Sequence, residues 1–142
     1  MDIPLTVIPI EPGGVHLLMH AIINGYKANV LIDTGASRTI IDLSRAGYYL
    51  ENNEILKYEK FFTGMGAGKI DTYVTTIPQL ALGDTVMKDL EILLIDMSSL
   101  NASYALYDMP RLDMVLGGDL LLKLSAVIDY QNKTLKTTTS SG

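Results

Sequence analysis

The sequence predicts a small, all-β, barrel-like domain with one short helix near its C-terminal end. Short runs rich in β-branched and aromatic residues follow one another along the chain, and glycine-containing turns separate them. Only one late segment, residues 119–124, reads clearly as a helix that follows a strand and a pair of glycines. Many short strands with frequent turns and little helix are typical of closed β-barrels and related folds.

The clearest single element is a β-hairpin in the first quarter of the chain. Residues 15–23 and 26–32 are two β-rich runs, and Asn24-Gly25 separates them. An Asn-Gly pair supplies the two positive-φ positions of a type I′ turn, which joins antiparallel strands tightly. The hairpin therefore brings Asp33 to the end of a strand.

The elements that follow are short strands and turns. Asp42 is expected to cap a short helix over residues 43–46 that ends at Gly47. Three glycines within five positions, from residue 64 to residue 68, predict a mobile hairpin turn. Further strands are predicted over residues 39–41, 58–62, 70–77, 79–82, 90–95, 114–116, 126–130 and 134–136.

Length and composition predict one globular domain. We expect a single domain over residues 1–142, with its core over about 15–136 and a polar tail over 137–142. Apolar residues make up 48% of the chain and charged residues 19%, which is a globular composition. The net charge is −5 with both signs interspersed, so the chain lacks the basic face that a nucleic-acid partner would require.

Several further classes are excluded by what the sequence lacks. It contains no cysteine, which rules out disulfides, thiolate catalysis and zinc–thiolate sites. No signal peptide is visible, and no run approaches the ~18 apolar residues of a membrane span. We therefore expect no membrane partner; the compartment stays open, with the cytoplasm favoured.

The residues around Asp33 carry a family resemblance. The run Ile32-Asp33-Thr34-Gly35-Ala36-Ser37, between two apolar strands, resembles the active-site loop of retropepsin-like aspartic proteases of clan AA. The preceding hairpin, the glycine-rich turn at the place of the flap, and the late run Val115-Leu116-Gly117-Gly118-Asp119-Leu120-Leu121 occur in the family's order. The resemblance extends from about residue 15 to residue 135.

The resemblance implies a closed acid-protease barrel with a flap hairpin, and an aspartic endopeptidase that needs no cofactor and no metal. In that family, one carboxylate removes a proton from the attacking water while a second assists departure of the amine. The positions implied for this chain are catalytic Asp33, Thr34 and Gly35, and substrate-binding Ala36, Ser37, Met65, Gly66 and Ala67.

The chain contains a single Asp-Thr-Gly motif, so a pair of catalytic aspartates requires two copies of the chain. The resemblance thus implies a homodimer with two-fold symmetry that acts on a peptide or protein substrate. Residues 1–10 and 134–138 are the candidates for an intersubunit sheet. Prolines at positions 4 and 9 make the first of these segments an awkward sheet member.

Other interpretations remain beside this one. Asp96 follows an apolar run like that before Asp33, but Met97 replaces the threonine and no glycine follows, so a turn aspartate is expected. His16 and His20 lack a third metal ligand and are expected to be ordinary strand residues, while Asp119 is expected to be structural. The chain as a whole could be a catalytically inactive peptide-binding or dimerisation module of the same fold, or a precursor that is activated later.

Overall fold

The computed structural model describes residues 2–50, 54–58 and 71–138, apart from the side chain of Glu11. The predicted flap lies outside these residues. The strands are β1 Asp2–Pro4, β2 Thr6–Glu11, β3 Gly14–Ile23, β4 Tyr26–Ile32, β5 Ile40–Asp42, β6 Leu56–Lys57, β7 Tyr73–Leu82, β8 Thr85–Ile95, β9 Met114–Leu116, β10 Val127–Asp129 and β11 Thr134–Lys136. The α-helices are α1 Ala46–Tyr49, α2 Ser98–Ala105 and α3 Gly118–Lys123.

Eight strands form one sheet in the order β2-β3-β4-β9-β5-β8-β7-β6. A further pairing between β3 and β7 joins two inner strands of this sheet, so six strands from β3 to β7 close into a ring. Closure removes exposed edges from these strands. The predicted all-β, closed barrel-like fold is confirmed, and so is its C-terminal helix, α3.

The predicted hairpin is present with its expected turn. Asn24 and Gly25 have φ angles of 47° and 87°, and they connect the facing residues Ile23 and Tyr26 of β3 and β4. Alternate residues of β3 point to opposite faces. Leu17 and Met19 therefore join the main core, while Leu18 packs into a second, smaller apolar cluster.

Parallel pairing positions the loop that follows β4. Strand β4 runs parallel to β9, with Ile32 opposite Leu116, so the loops after both strands emerge at the same edge. The Asp33 N–H donates to the Leu116 carbonyl at 3.0 Å, which extends this pairing by one step. Two segments some eighty residues apart in sequence thereby meet at one site.

Two local expectations need correction, and one helix was not predicted. Asp42 caps a 3-10 turn as predicted, but the chain continues through Gly47 into α1 because the ring of Tyr49 is buried there. Helix α2 was not predicted, and the strands expected over 70–77 and 79–82 form one strand, β7. At the start of the predicted polar tail, Thr137 is buried and the Thr138 N–H donates to the Leu124 carbonyl, while residues 139–142 lie outside the described residues.

The segments expected to form an intersubunit sheet are paired within the chain. Strand β1 pairs with β11 in a separate three-stranded sheet of order β1-β11-β10, and β2 pairs with β3. Pro4 and Pro9 are accommodated because β1 and β2 are outer strands of their sheets, where a missing N–H is tolerated. Any strand added by a second copy would have to join a free edge, such as that of β10.

Candidate active site

The loop after β4 is organised by hydrogen bonds to Asp33. The Gly35 N–H donates to the Asp33 carboxylate oxygen Oδ1 at 2.9 Å, and the Ala36 N–H donates to the Asp33 carbonyl at 3.1 Å. A Cβ at Gly35 would lie 3.2 Å from Oδ1, so glycine keeps the approach of the backbone to the carboxylate free of crowding.

The five consecutive site residues predicted from the sequence lie together at the protein surface. Asp33, Thr34, Gly35 and Ser37 are exposed, and Ala36 is half-buried. The three predicted flap residues, Met65, Gly66 and Ala67, lie outside the described residues. The carboxylate of Asp33 is thus held by its own loop and open to a second molecule.

The Gly117-Gly118 turn supports this loop from beneath. The Gly118 N–H donates to the Ala36 carbonyl at 2.7 Å, and the Gly117 N–H donates to the hydroxyl of Thr39 at 3.0 Å. A Cβ at Gly117 would meet the carbonyl oxygens of Ala36 and Arg38, each at 2.7 Å. Only glycine at position 117 allows the two backbones to approach so closely.

Asp119 ties helix α3 to the segment that follows the loop. Its Oδ1 accepts from the hydroxyl of buried Thr39 at 2.7 Å and from the Leu120 N–H at 2.8 Å. Its Oδ2 lies 3.4 Å from Nε of Arg38. Asp119 therefore has the expected structural role. Its contacts with Arg38 and Thr39 hold the segment that follows the Asp33 loop.

Asp96 has a different environment from Asp33. Its Oδ1 accepts from the Ser98 N–H at 2.8 Å at the start of helix α2. Hydrogen bonding with the Ser98 side chain, and then with its backbone N–H, lowers the pKa of Asp96 below its ordinary value. The expected turn aspartate is confirmed. Within residues 2–50, 54–58 and 71–138, no group of three or more His, Cys, Asp or Glu side chains could hold a metal ion.

His16 and Tyr104, neither of which was predicted as a site residue, contact each other near the second apolar cluster. The rings of His16 and Tyr104 meet edge to face with their centroids 5.3 Å apart. Partial burial raises the pKa of the Tyr104 phenol, and the negative charge of Asp33 raises it further. No local signal marks Tyr104, because its place depends on how α2 packs.

Comparison with known proteins agrees with this architecture. Residues 19–120 match the family model of aspartyl proteases. No curated protein matches the chain.

Three solved structures share the fold at low sequence identity. The EIAV protease complexed with the inhibitor HBY-793 has 22% identity and a TM-score of 0.55, over 79% of this chain and 90% of that one. The retroviral protease-like domain of Ddi1 from Leishmania major has 15% identity and a TM-score of 0.58, over 88% and 90%. A retropepsin-like aspartic protease from Rickettsia conorii has 21% identity and a TM-score of 0.52, over 94% and 89%.

The family match covers more than two thirds of the chain and includes the Asp33 loop and both glycines of the supporting turn. In the part of the chain that the structure describes, no helix is long and apolar enough to cross a membrane. The chain belongs to the aspartyl protease family and has the retropepsin-like fold.

Proposed function

We propose that the protein is an aspartic endopeptidase in which Asp33 and Asp33 of the partner subunit activate a water molecule to hydrolyse a peptide bond. The observation that carries this proposal is the state of Asp33. Asp33 directly follows barrel strand β4, and the Gly35 N–H orients its carboxylate. The residue is exposed at the surface of a single chain. We further propose that one protease domain spans residues 1–142.

The chemistry follows from placing two carboxylates together. Two carboxylates about 3 Å apart resist ionising together, so the pair shares one proton at pH values between its two apparent pKa values. The ionised member removes a proton from water as it attacks the peptide carbonyl. The protonated member stabilises the developing negative charge on the carbonyl oxygen, and a proton then passes to the departing amine.

Two observations support a homodimer as the source of the second carboxylate. Asp96 follows the strand most like β4, but its carboxylate is engaged by Ser98 at the start of α2. The stretch from α3 to the residue after β10 exposes the large apolar side chains of Leu122, Val127 and Tyr130. Burial of such side chains against a second copy would favour association.

The test combines mass in solution with cleavage of a mixed peptide library. We expect the native chain to cleave, and its specific activity to fall on dilution as dimers dissociate. Asp33→Asn should abolish cleavage, whereas the matched control Asp96→Asn should retain it. A pepstatin-type inhibitor, which imitates the tetrahedral intermediate, should bind the native dimer.

Two results would contradict the proposal. A monomer whose cleavage survives Asp33→Asn would show that another group does the chemistry. A dimer that binds peptides but cleaves none at any pH would instead identify an inactive peptide-binding module.

A further inference from the structure

Three buried polar atoms face one another at the opposite end of β9 from the Asp33 loop. They belong to Asp113, which directly precedes β9, to Tyr49, which ends α1, and to Arg45, which directly precedes α1. The atoms are Oδ1 of Asp113, the hydroxyl oxygen of Tyr49 and Nε of Arg45, and none has a hydrogen-bond partner in the part of the chain that the structure describes. We call these three side chains the Asp113 site.

The three groups lie close to one another. Nε of Arg45 is 3.8 Å from Oδ1 of Asp113, which is within the range of an ion pair but too long for a direct hydrogen bond. Burial raises the pKa of the Tyr49 phenol, and interaction with the Asp113 carboxylate raises it further, while Arg45 opposes the shift. The phenol therefore lies beside both charged groups.

The backbone and the second carboxylate oxygen fix Asp113 in place. Its Oδ2 accepts from the Asn29 N–H at 2.8 Å, and its own N–H donates to the Asn29 carbonyl at 2.9 Å. Its carbonyl accepts from the Asp42 N–H at 2.9 Å. Since Asn29 lies on β4 and Asp42 ends β5, the start of β9 is tied to both neighbouring strands. Oδ1 is left directed toward Arg45.

Burial makes unpaired atoms at this site costly. Asp113 is 5% exposed and Tyr49 is 2% exposed, so neither side chain is open to bulk solvent. A buried polar atom without a partner loses its hydration and receives nothing in exchange. Internal water molecules typically satisfy such atoms by making about three hydrogen bonds.

The donors and acceptors of the Asp113 site match those of one water molecule. The carboxylate accepts, the guanidinium donates, and the phenol can do either. Two hydrogen bonds of about 2.8 Å can join atoms up to about 5.6 Å apart, so one water beside the pair can reach both Asp113 and Arg45. The hydroxyl of Tyr49 supplies the third contact.

We propose that Asp113, Tyr49 and Arg45 form a binding site for a single internal water molecule that links α1 to the start of β9. The ligand is water or a neutral molecule of the same size, because the carboxylate and the guanidinium already balance each other in charge. The link holds the base of the β4–β9 pair, whose other end carries the Asp33 loop. It does not depend on the proposed endopeptidase function.

A crystal structure of the native chain, at a resolution that shows ordered waters, tests the site directly. We expect one water molecule within about 2.6–3.2 Å of all three atoms. A direct hydrogen bond from Nε of Arg45 to Oδ1 of Asp113, with no water at the carboxylate, would overturn the proposal.

Tyr49→Phe tests the site in solution, with Tyr48→Phe as its matched control. Tyr49→Phe removes only the hydroxyl that contacts the water, and we expect its Tm to fall by roughly 3–6 °C. Tyr48 is the neighbouring residue and is 52% exposed, so Tyr48→Phe should keep the native Tm. Equal Tm values for the two variants would refute the inference. Both experiments are made without a peptide substrate, so their results are independent of whether the protein cleaves peptides.

Discussion

Replacing Gly117 with alanine tests how the Asp33 loop is supported. The added methyl carbon would lie 2.7 Å from two backbone carbonyl oxygens, those of Ala36 and Arg38. Favourable nonbonded contacts involving carbon need about 3.5 Å, so the turn and the loop must separate by roughly 0.8 Å. Both neighbours are backbone atoms, which cannot relieve the overlap by changing a rotamer.

Overpacking of this kind costs about 1–3 kcal/mol. For a chain of this length, that corresponds to a fall in Tm of roughly 4–12 °C. Because the displaced loop carries Asp33, peptide cleavage should fall by about 100-fold, as expected when a reacting group moves by an ångström. Urea and thermal unfolding at one fixed protein concentration measure the first effect, and kcat measures the second.

Gly118→Ala is the matched control for this substitution. A Cβ at position 118 would lie 3.6 Å from the Ala36 carbonyl, an ordinary contact. Gly117 itself has φ of −102° and ψ of −176°, extended values that alanine also adopts, so steric overlap is the reason for the expected loss. If Gly117→Ala unfolds at the same urea concentration as Gly118→Ala, the proposed close packing of turn and loop is wrong.

Three further predictions concern the network around the site and the closing hairpin. Asp119→Ala leaves the hydroxyl of buried Thr39 without its acceptor and should lower the free energy of unfolding by about 1–3 kcal/mol. Asp119→Asn keeps an acceptor oxygen and should lower the free energy of unfolding by less. Equal urea midpoints for the two variants would contradict this prediction. Asp42 is fully buried and accepts hydrogen bonds from two backbone N–H groups. Asp42→Ala should therefore lower the free energy of unfolding, measured by thermal unfolding, by about 3 kcal/mol. A loss of under about 1 kcal/mol would show that these hydrogen bonds do not stabilise the fold. The Asn132 N–H groups lower the pKa of Asp129, so its ionised form stabilises the fold above about pH 4 and this contribution disappears as the pH falls through the lowered pKa. Asp129→Asn should therefore be less stable than the native chain at pH 7 and equally stable at pH 2, as unfolding midpoints across that range would show.

The hairpin and the Asp33 loop could be predicted because their causes are local. Asn24-Gly25 tolerates the positive φ angles of the turn, and the alternation of apolar residues in the flanking strands sets which face is buried. Likewise, the small residues after Asp33 favour a tight loop, and the Gly35 N–H approaches the Asp33 carboxylate.

The errors arose where distant packing overrides local preference. Glycine commonly ends a helix, yet α1 continues through Gly47 because the buried ring of Tyr49 stabilises the turn that contains it. Residues 98–105 carry little amphipathic pattern, so their helix depends on Asp96 at its start and on the apolar cluster beneath it. Sheet membership of β1 was set by its pairing with β11 from the other end of the chain.

The amino-acid sequence alone predicted the family, the closed β fold and Asp33 as the candidate catalytic residue, because each prediction rests on short motifs and on strand periodicity. The tertiary structure decided which groups surround Asp33. Parallel pairing of β4 with β9 brings Gly117 under the loop, and α2 packs Tyr104 on the same apolar cluster that Ala36 of the loop contacts. These contacts join segments about seventy to eighty positions apart, and no local preference specifies such long-range pairings.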